Sequence, residues 1–169
     1  LENMLKYEGF VELQYAALTS LGRIKSKSSS LVIMNFLDHK NTLLRARAIR
    51  SLADLKYDKA LDQIRNTIDN DKEISCRLAA ASALGKFKDR ESLNSLVDLY
   101  YNLASEKNPI SGEPRSKVIL LAISKILKCE ELFSQEWRKE EKFIGFRLPN
   151  LIDELAKAIN KLSGEKTYD

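Results

Sequence analysis

Proline and glycine are scarce in this chain, at 3 and 6 of 169 residues. That is too few for a turn-rich β sandwich or a disordered linker protein. Cysteine is scarcer still. Cys76 and Cys129 lie far apart and match no metal-ligand spacing, so nothing asks for a disulfide framework or an oxidising compartment. No apolar run approaches the ~20 residues that span a bilayer. The first ten residues carry Glu2, Lys6 and Glu8 in place of the apolar core of a signal peptide. No membrane insertion is expected, and the cytoplasm is the default compartment. Histidine occurs once, as His39 between Asp38 and Lys40. There is no G-x-S-x-G, no glycine-rich phosphate loop and no H-E-x-x-H. The sequence therefore names no catalytic residue, no metal ligand and no cofactor, and the expectation is a protein that is not an enzyme.

What is present is ordinary in amount and unusual in order. Hydrophobic residues make up 44% and charged residues 31%, values that suit a globular core. The net charge of +4 is uneven. Residues 1–56 hold 9 basic and 5 acidic side chains, while the other two thirds are close to balance. A basic patch over Arg23, Lys25, Lys27, Arg45, Arg47 and Arg50 is one reading of that excess, and a solvated face is the plainer one.

The order is a repeat. LRARAIRSLADLKYDKALDQIRNTI from Leu44 and CRLAAASALGKFKDRESLNSLVDLY from Cys76 superimpose at a step of 32 residues. Arg45 then falls on Arg77, Ala48 on Ala80, Leu52 on Leu84, Lys56 on Lys88 and Ile64 on Leu96. A third, degraded copy starts near Val11, with Leu21 on Leu52 and Gln14 in place of the arginine. Each copy shows helical rather than strand spacing, as in Leu44, Ala48, Ile49, Leu52 and Leu55. Asn41 or Thr42, Asp58, Asp89 and Ser28 to Ser30 are the candidate helix caps. Ala79, Ala80, Ala81 and Ala83 mark a helix that neighbours approach closely. A period of one helix pair is the signature of an α-solenoid.

Residues 102–114 (NLASEKNPISGEP) read as a loop inserted in a fourth copy. That copy resumes with Ala122 over Ala80 and Ile126 over Leu84, and has Ile119 where the arginine should be. Beyond Cys129 the repeat logic stops. Leu148, Leu151, Ile152, Leu155, Ile159 and Leu162 give a last amphipathic helix, which we expect to cap the stack. Trp137, with Phe133, Phe143 and Phe146, is read either as packing under that helix or as an aromatic anchor for a partner. The chain opens at Leu1 on what reads as the tail of a helix, so a fragment of a larger protein is expected. A processed start is the alternative.

The pattern hydrophobic–Arg–x–x–Ala–x–x–x–Leu–(Gly), followed by an Asp and a second helix, resembles HEAT-like repeats of the short bacterial and archaeal type, also found in phycobilin lyase subunits. CRLAAASALGKFKD at 76–89 carries the resemblance best, and LRARAIRSLADLKYD at 44–58 nearly as well. The resemblance implies an all-α, armadillo-like solenoid, a right-handed superhelix of about four helix pairs with a C-terminal capping helix. The pairs fall at about 9–39, 40–70, 71–103 and 113–143, with the cap at 147–163, in a single domain.

It also implies a scaffold that binds a protein or peptide on the concave face lined by the second helices. The polar positions there are Asn35, Asp62, Arg65, Asn66, Asn94, Ser95 and Asp98. Arg45 and Arg77 are expected to be structural, reaching carboxylates or carbonyls between repeats. Lys25, Lys56 and Lys88 form a column at helix C-termini, where a cation offsets the helix dipole. Two rival functions remain at this stage. One is nucleic-acid binding through the basic first third. The other is a lyase or chaperone-like subunit for a tetrapyrrole-bearing protein.

Overall fold

Apolar residues spaced three and four apart give this chain eight α-helices and no strand among the described residues. The computed structural model describes residues 1–103 and 115–128, which fall in one compact unit, Leu1–Lys128. Cys129, the aromatic residues around Trp137, and the stretches expected to form the second helix of a fourth pair and a capping helix lie outside the described residues.

A single turn, α1 (Glu2–Leu5), precedes three helix pairs. They are α2 (Val11–Arg23) with α3 (Ser30–Met34), α4 (Thr42–Leu55) with α5 (Leu61–Asn70), and α6 (Ile74–Phe87) with α7 (Leu93–Leu103). One more helix, α8 (Ser116–Leu127), follows where the first helix of a fourth pair is expected. α7 takes Asn102 and Leu103 from the stretch read as loop, because Leu103 is buried.

First helices lie side by side, α2 on α4, α4 on α6 and α6 on α8. Contacts at both ends show that α4 and α6 run parallel: Cys76 Sγ lies 3.5 Å from Thr42 O, and Lys86 Nζ lies 2.5 Å from Asp54 Oδ1. Each second helix rests against the first helix of the next pair, α3 on α4, α5 on α6 and α7 on α8. α1 bears the same relation to α2.

The core follows from that layering. Leu44, Ala48, Ile49 and Leu52 are fully buried on α4, as are Cys76, Ala79, Ala80, Ala81 and Leu84 on α6. Each fully buried leucine or isoleucine contributes about 1.5–3 kcal/mol. α6 has α4 and α8 on its flanks and α5 against it, so it is apolar nearly all round. Small side chains let those neighbours close in. A Cβ on Gly85 would stand 2.7 Å from the Ala122 Cα, and one on Gly22 would stand 3.0 Å from Ser51. On the α2–α4 seam Ser51 Oγ also donates to Leu18 O at 2.8 Å.

Helix starts are less uniform than the sequence suggests. Asn41 caps α4, its Oδ1 accepting from Leu43 N and Leu44 N. Asp58 does not cap its helix with its side chain. It opens a 3-10 turn, Asp58–Ala60, which tightens the chain before α5 begins. The serines at 28–30 likewise lie on a 3-10 turn, Lys27–Ser29, running into α3. Ser26 and Ser29 hydrogen-bond each other there at 2.7 Å, and Ser29 Oγ donates to Glu2.

Helix ends, by contrast, are alike. Lys25, Lys56, Lys88 and Lys128 have φ of 54°, 51°, 58° and 58°, and they are the only non-glycine residues with positive φ among the described residues. Each follows a first helix. After three of them the next N–H returns to a carbonyl five residues back: Ser26 N to Leu21 O, Tyr57 N to Leu52 O and Asp89 N to Leu84 O, at 3.1–3.2 Å. This is the Schellman closure, which normally takes glycine at the left-handed position.

A side chain there costs about 1–2 kcal/mol, against a dipole gain of about 0.3–1 kcal/mol for the cation and about 0.5–1 kcal/mol for avoiding glycine's unfolded-state entropy. Lys56→Gly is therefore expected to leave stability unchanged or raise it by about 0.5 kcal/mol. Urea denaturation is the check, and a loss above ~1 kcal/mol would show that the lysine holds the turn.

Candidate functional site

Arginine in the first turn of a first helix ties that helix to the chain leading into it. Arg45 Nη1 donates to His39 O at 2.9 Å and Lys40 O at 3.2 Å. Its Nε and Nη2 form a two-pronged pair with Asp71, both at 2.9 Å. Asp71 lies between α5 and α6 and also accepts from Glu73 N at 2.9 Å, so one guanidinium ties three segments together. Arg77 makes the simpler form of the contact, Nε to Ile68 O at 2.6 Å. Gln14, in the same column, donates from Nε2 to Leu5 O at 2.8 Å and is buried. A neutral amide suffices there because a lone carbonyl, with no carboxylate beside it, is the acceptor.

A second hub was not foreseen. Arg65 on α5 pairs with Asp89, Nε–Oδ2 at 2.9 Å and Nη2–Oδ1 at 2.5 Å. Its Nη1 also meets Asp62 at 3.1 Å and Glu91 at 2.9 Å. The Asp89 side chain is only 6% exposed, so this arginine neutralises a nearly buried carboxylate between α6 and α7. No repeat position signals the contact, since Met34 and Val97 stand where Arg65 would recur.

Burial pushes the Asp71 and Asp89 carboxyls up, yet their arginines, together with hydrogen bonds from Glu73 N to Asp71 and from Ser92 to Asp89, outweigh it and hold both below the usual carboxylate range. The sign follows from linkage. A depressed folded value gives stability that is complete well above pH ~4, the unfolded carboxylate value, and is lost as pH falls through it towards the folded value. The Asp71→Asn/Asp89→Asn variant is expected to be less stable at pH ~7 and to lose less stability than wild type below pH ~4. Chemical denaturation across that range checks it; parallel pH curves would mean the two carboxylates are unperturbed.

The basic cluster divides. Arg23, Lys25, Lys27 and Arg50 are exposed, whereas Arg45 is held as described. Arg47 lies over the Tyr15 ring at 4.3 Å to its centroid and contacts the phenol oxygen. These six cations therefore do not converge on one patch. His39 stacks on Phe36 at 5.4 Å, and its Nδ1 accepts from Asn41 N at 3.0 Å. Burial pushes the Cys76 thiol up. Among the described residues no group of His, Cys, Asp and Glu can hold a metal ion, and no helix is long and apolar enough to cross a membrane.

On the second helices, Asn35, Asp62, Asn66, Asn94 and Asp98 are exposed, Ser95 is half-buried and Arg65 is committed to its carboxylates. The helices spend Ile64, Ile68, Leu96 and Leu99 on the core and leave these polar groups outside. A polar groove of about 500 Å³ opens where α5 meets the turn before α4, lined by His39, Lys40, Arg45, Asn66, Asn70 and Asp71.

The family model for HEAT repeats matches residues 1–73 and again 30–106. The chain belongs to the HEAT-repeat family. No curated protein matches it. Among solved structures, a HEAT-like chain is seen in the complex of CpcE and CpcF of phycocyanin lyase from Nostoc sp. PCC7120, with a TM-score of 0.64 and 20% identity. The match covers 97% of this chain and 64% of that one. At that identity the likeness shows the fold, an all-α HEAT-repeat solenoid. The repeat scaffold is thus established, on the arginine column and the stacked first helices as well as on the family match.

Proposed function

We propose that this HEAT-repeat chain is a non-catalytic scaffold that binds a protein or peptide partner on the face of its second helices. The observation that carries the reading is the set Asn35, Asp62, Asn66, Asn94 and Asp98, exposed at the C-cap of α3 and on α5 and α7 while the apolar residues of these helices serve the stack. Arg65, tied to three carboxylates, acts as a rigid support beneath that set rather than as a free contact. Solenoid faces of this kind bind by presenting many side chains from successive repeats.

Affinity capture with the full chain tests it, with Asn94→Lys/Asp98→Lys as the comparison. Both positions are exposed, so stability should move by less than ~0.5 kcal/mol. A protein held by the wild type and lost by the variant supports the reading. Retention by both places the contact elsewhere.

One observation favours a narrower reading. The similar solved chain comes from a complex of two lyase subunits. A lyase-type subunit working with a second protein would use the same face, and it predicts a change in bilin absorbance when chain and pigment are mixed with that partner. Unchanged spectra would leave the scaffold alone standing.

A further inference from the structure

We infer that the edge of the stack where first helices turn into second helices is a separate docking surface for an acidic segment of a partner protein. Lys25, Lys56, Lys88 and Lys128 stand at the ends of α2, α4, α6 and α8, all in the left-handed conformation and all exposed. Because these helices lie side by side, the lysines fall in a row. Neighbouring helix axes are about 8–10 Å apart.

The row is reinforced from both sides. Arg23 and Lys27 flank Lys25, Lys59 follows Lys56 and Arg90 follows Lys88, and each is exposed without an ion pair among the described residues. Opposing charge is outnumbered. Among the described residues Asp54 meets Lys86, the single guanidinium of Arg65 is shared by Asp62, Asp89 and Glu91, Glu2 accepts from Ser29, and Asp58 has no ion pair. The opposite edge is mixed in sign, with Asp38, Asp69 and Glu73 exposed beside Lys40 and Lys72. Charge is therefore sorted between the two edges of the stack.

The helix dipole favours a cation at each of these ends, but the left-handed backbone disfavours any side chain there, so for the fold the lysines have no net advantage. Glycine would serve the left-handed positions at least as well, so four lysines at four such positions point to a role outside the chain. The spacing selects the partner. One carboxylate every third residue of an extended chain recurs at about 10 Å, matching one lysine per repeat. Each strand of duplex DNA carries a charge about every 3.4 Å along the helix axis, far denser than the row. Among the described residues the aromatic rings at this edge, Tyr57 and Phe87, are half-buried and offer bases no open face to stack on.

The test uses the full chain and a synthetic peptide with glutamate at every third residue. Its glutamine counterpart and an oligothymidylate serve as comparison probes. The glutamate peptide should bind, and binding should fade as salt rises towards ~0.5 M. Lys56→Gly/Lys88→Gly keeps the turn geometry while removing two charges, and should weaken binding about tenfold. Lys56→Arg/Lys88→Arg should restore it. Absence of peptide binding, equal binding by the glycine variant, or tighter binding of the oligothymidylate would each overturn the inference. The α7 substitutions of the preceding section remove no cation from this row, so loss of a captured protein in that variant and loss of peptide binding in the glycine variant test different groups.

Discussion

Arg45→Ala is expected to lower the free energy of unfolding by about 3 kcal/mol, because it leaves Asp71 nearly buried without its counter-charge. The guanidinium makes four hydrogen bonds, two to Asp71 and two to the His39 and Lys40 carbonyls. Side-chain exposures of 15% and 11% mean that water replaces few of them. Arg77→Ala removes the hydrogen bond to Ile68 O and should cost about 1 kcal/mol. The comparison separates the carboxylate from the carbonyls, and the Arg45→Ala/Asp71→Ala double variant should recover part of the loss. Equal costs for Arg45→Ala and Arg77→Ala in urea denaturation would show that the Asp71 pair contributes nothing.

Gly85→Val should destabilise by a similar amount, about 3 kcal/mol, for a steric reason. The first carbon added would stand 2.7 Å from the Ala122 Cα, a backbone atom that moves only if α8 moves. A branched side chain adds bulk that cannot rotate away in a helix. Gly85→Ala is the finer probe. Alanine favours a helix by about 1 kcal/mol, so any net loss measures how firmly α6 and α8 are held together. An unchanged melting midpoint for Gly85→Val would mean that α8 shifts freely against α6.

Much of this was legible because repetition supplies its own alignment. Leu44, Ala48, Ile49 and Leu52 had to share a buried face, and the copy at Cys76, Ala80 and Leu84 had to share the same one. Properties that belong to a single repeat were not legible. Arg65 and Asp89 lie 24 residues apart without counterparts in the other pairs, so nothing marked them as mates, and Arg65 read as surface. Asp58 had the composition and position of a cap, yet the chain enters a 3-10 turn there and the carboxylate has no helix N–H to meet. The lysine column was visible, but its left-handed backbone was not, because lysine carries no preference for that conformation. Helical spacing separated the second helices and their polar positions, and the resemblance to HEAT-like repeats made that face the candidate for binding. Which of its members were free for a partner depended on ion pairs that only three dimensions reveal.

The resting of α3 on α4, α5 on α6 and α7 on α8 puts the seams of the molecule out of step with the seams of its sequence. A fragment cut at a sequence boundary, after α5 or α7, ends on a helix whose main support has been removed. One cut a helix later, after α6 or α8, ends on a helix already flanked. Shortened or transplanted versions of this solenoid should therefore be divided after a first helix, and spliced arrays joined there, so that every second helix keeps the neighbour it leans on.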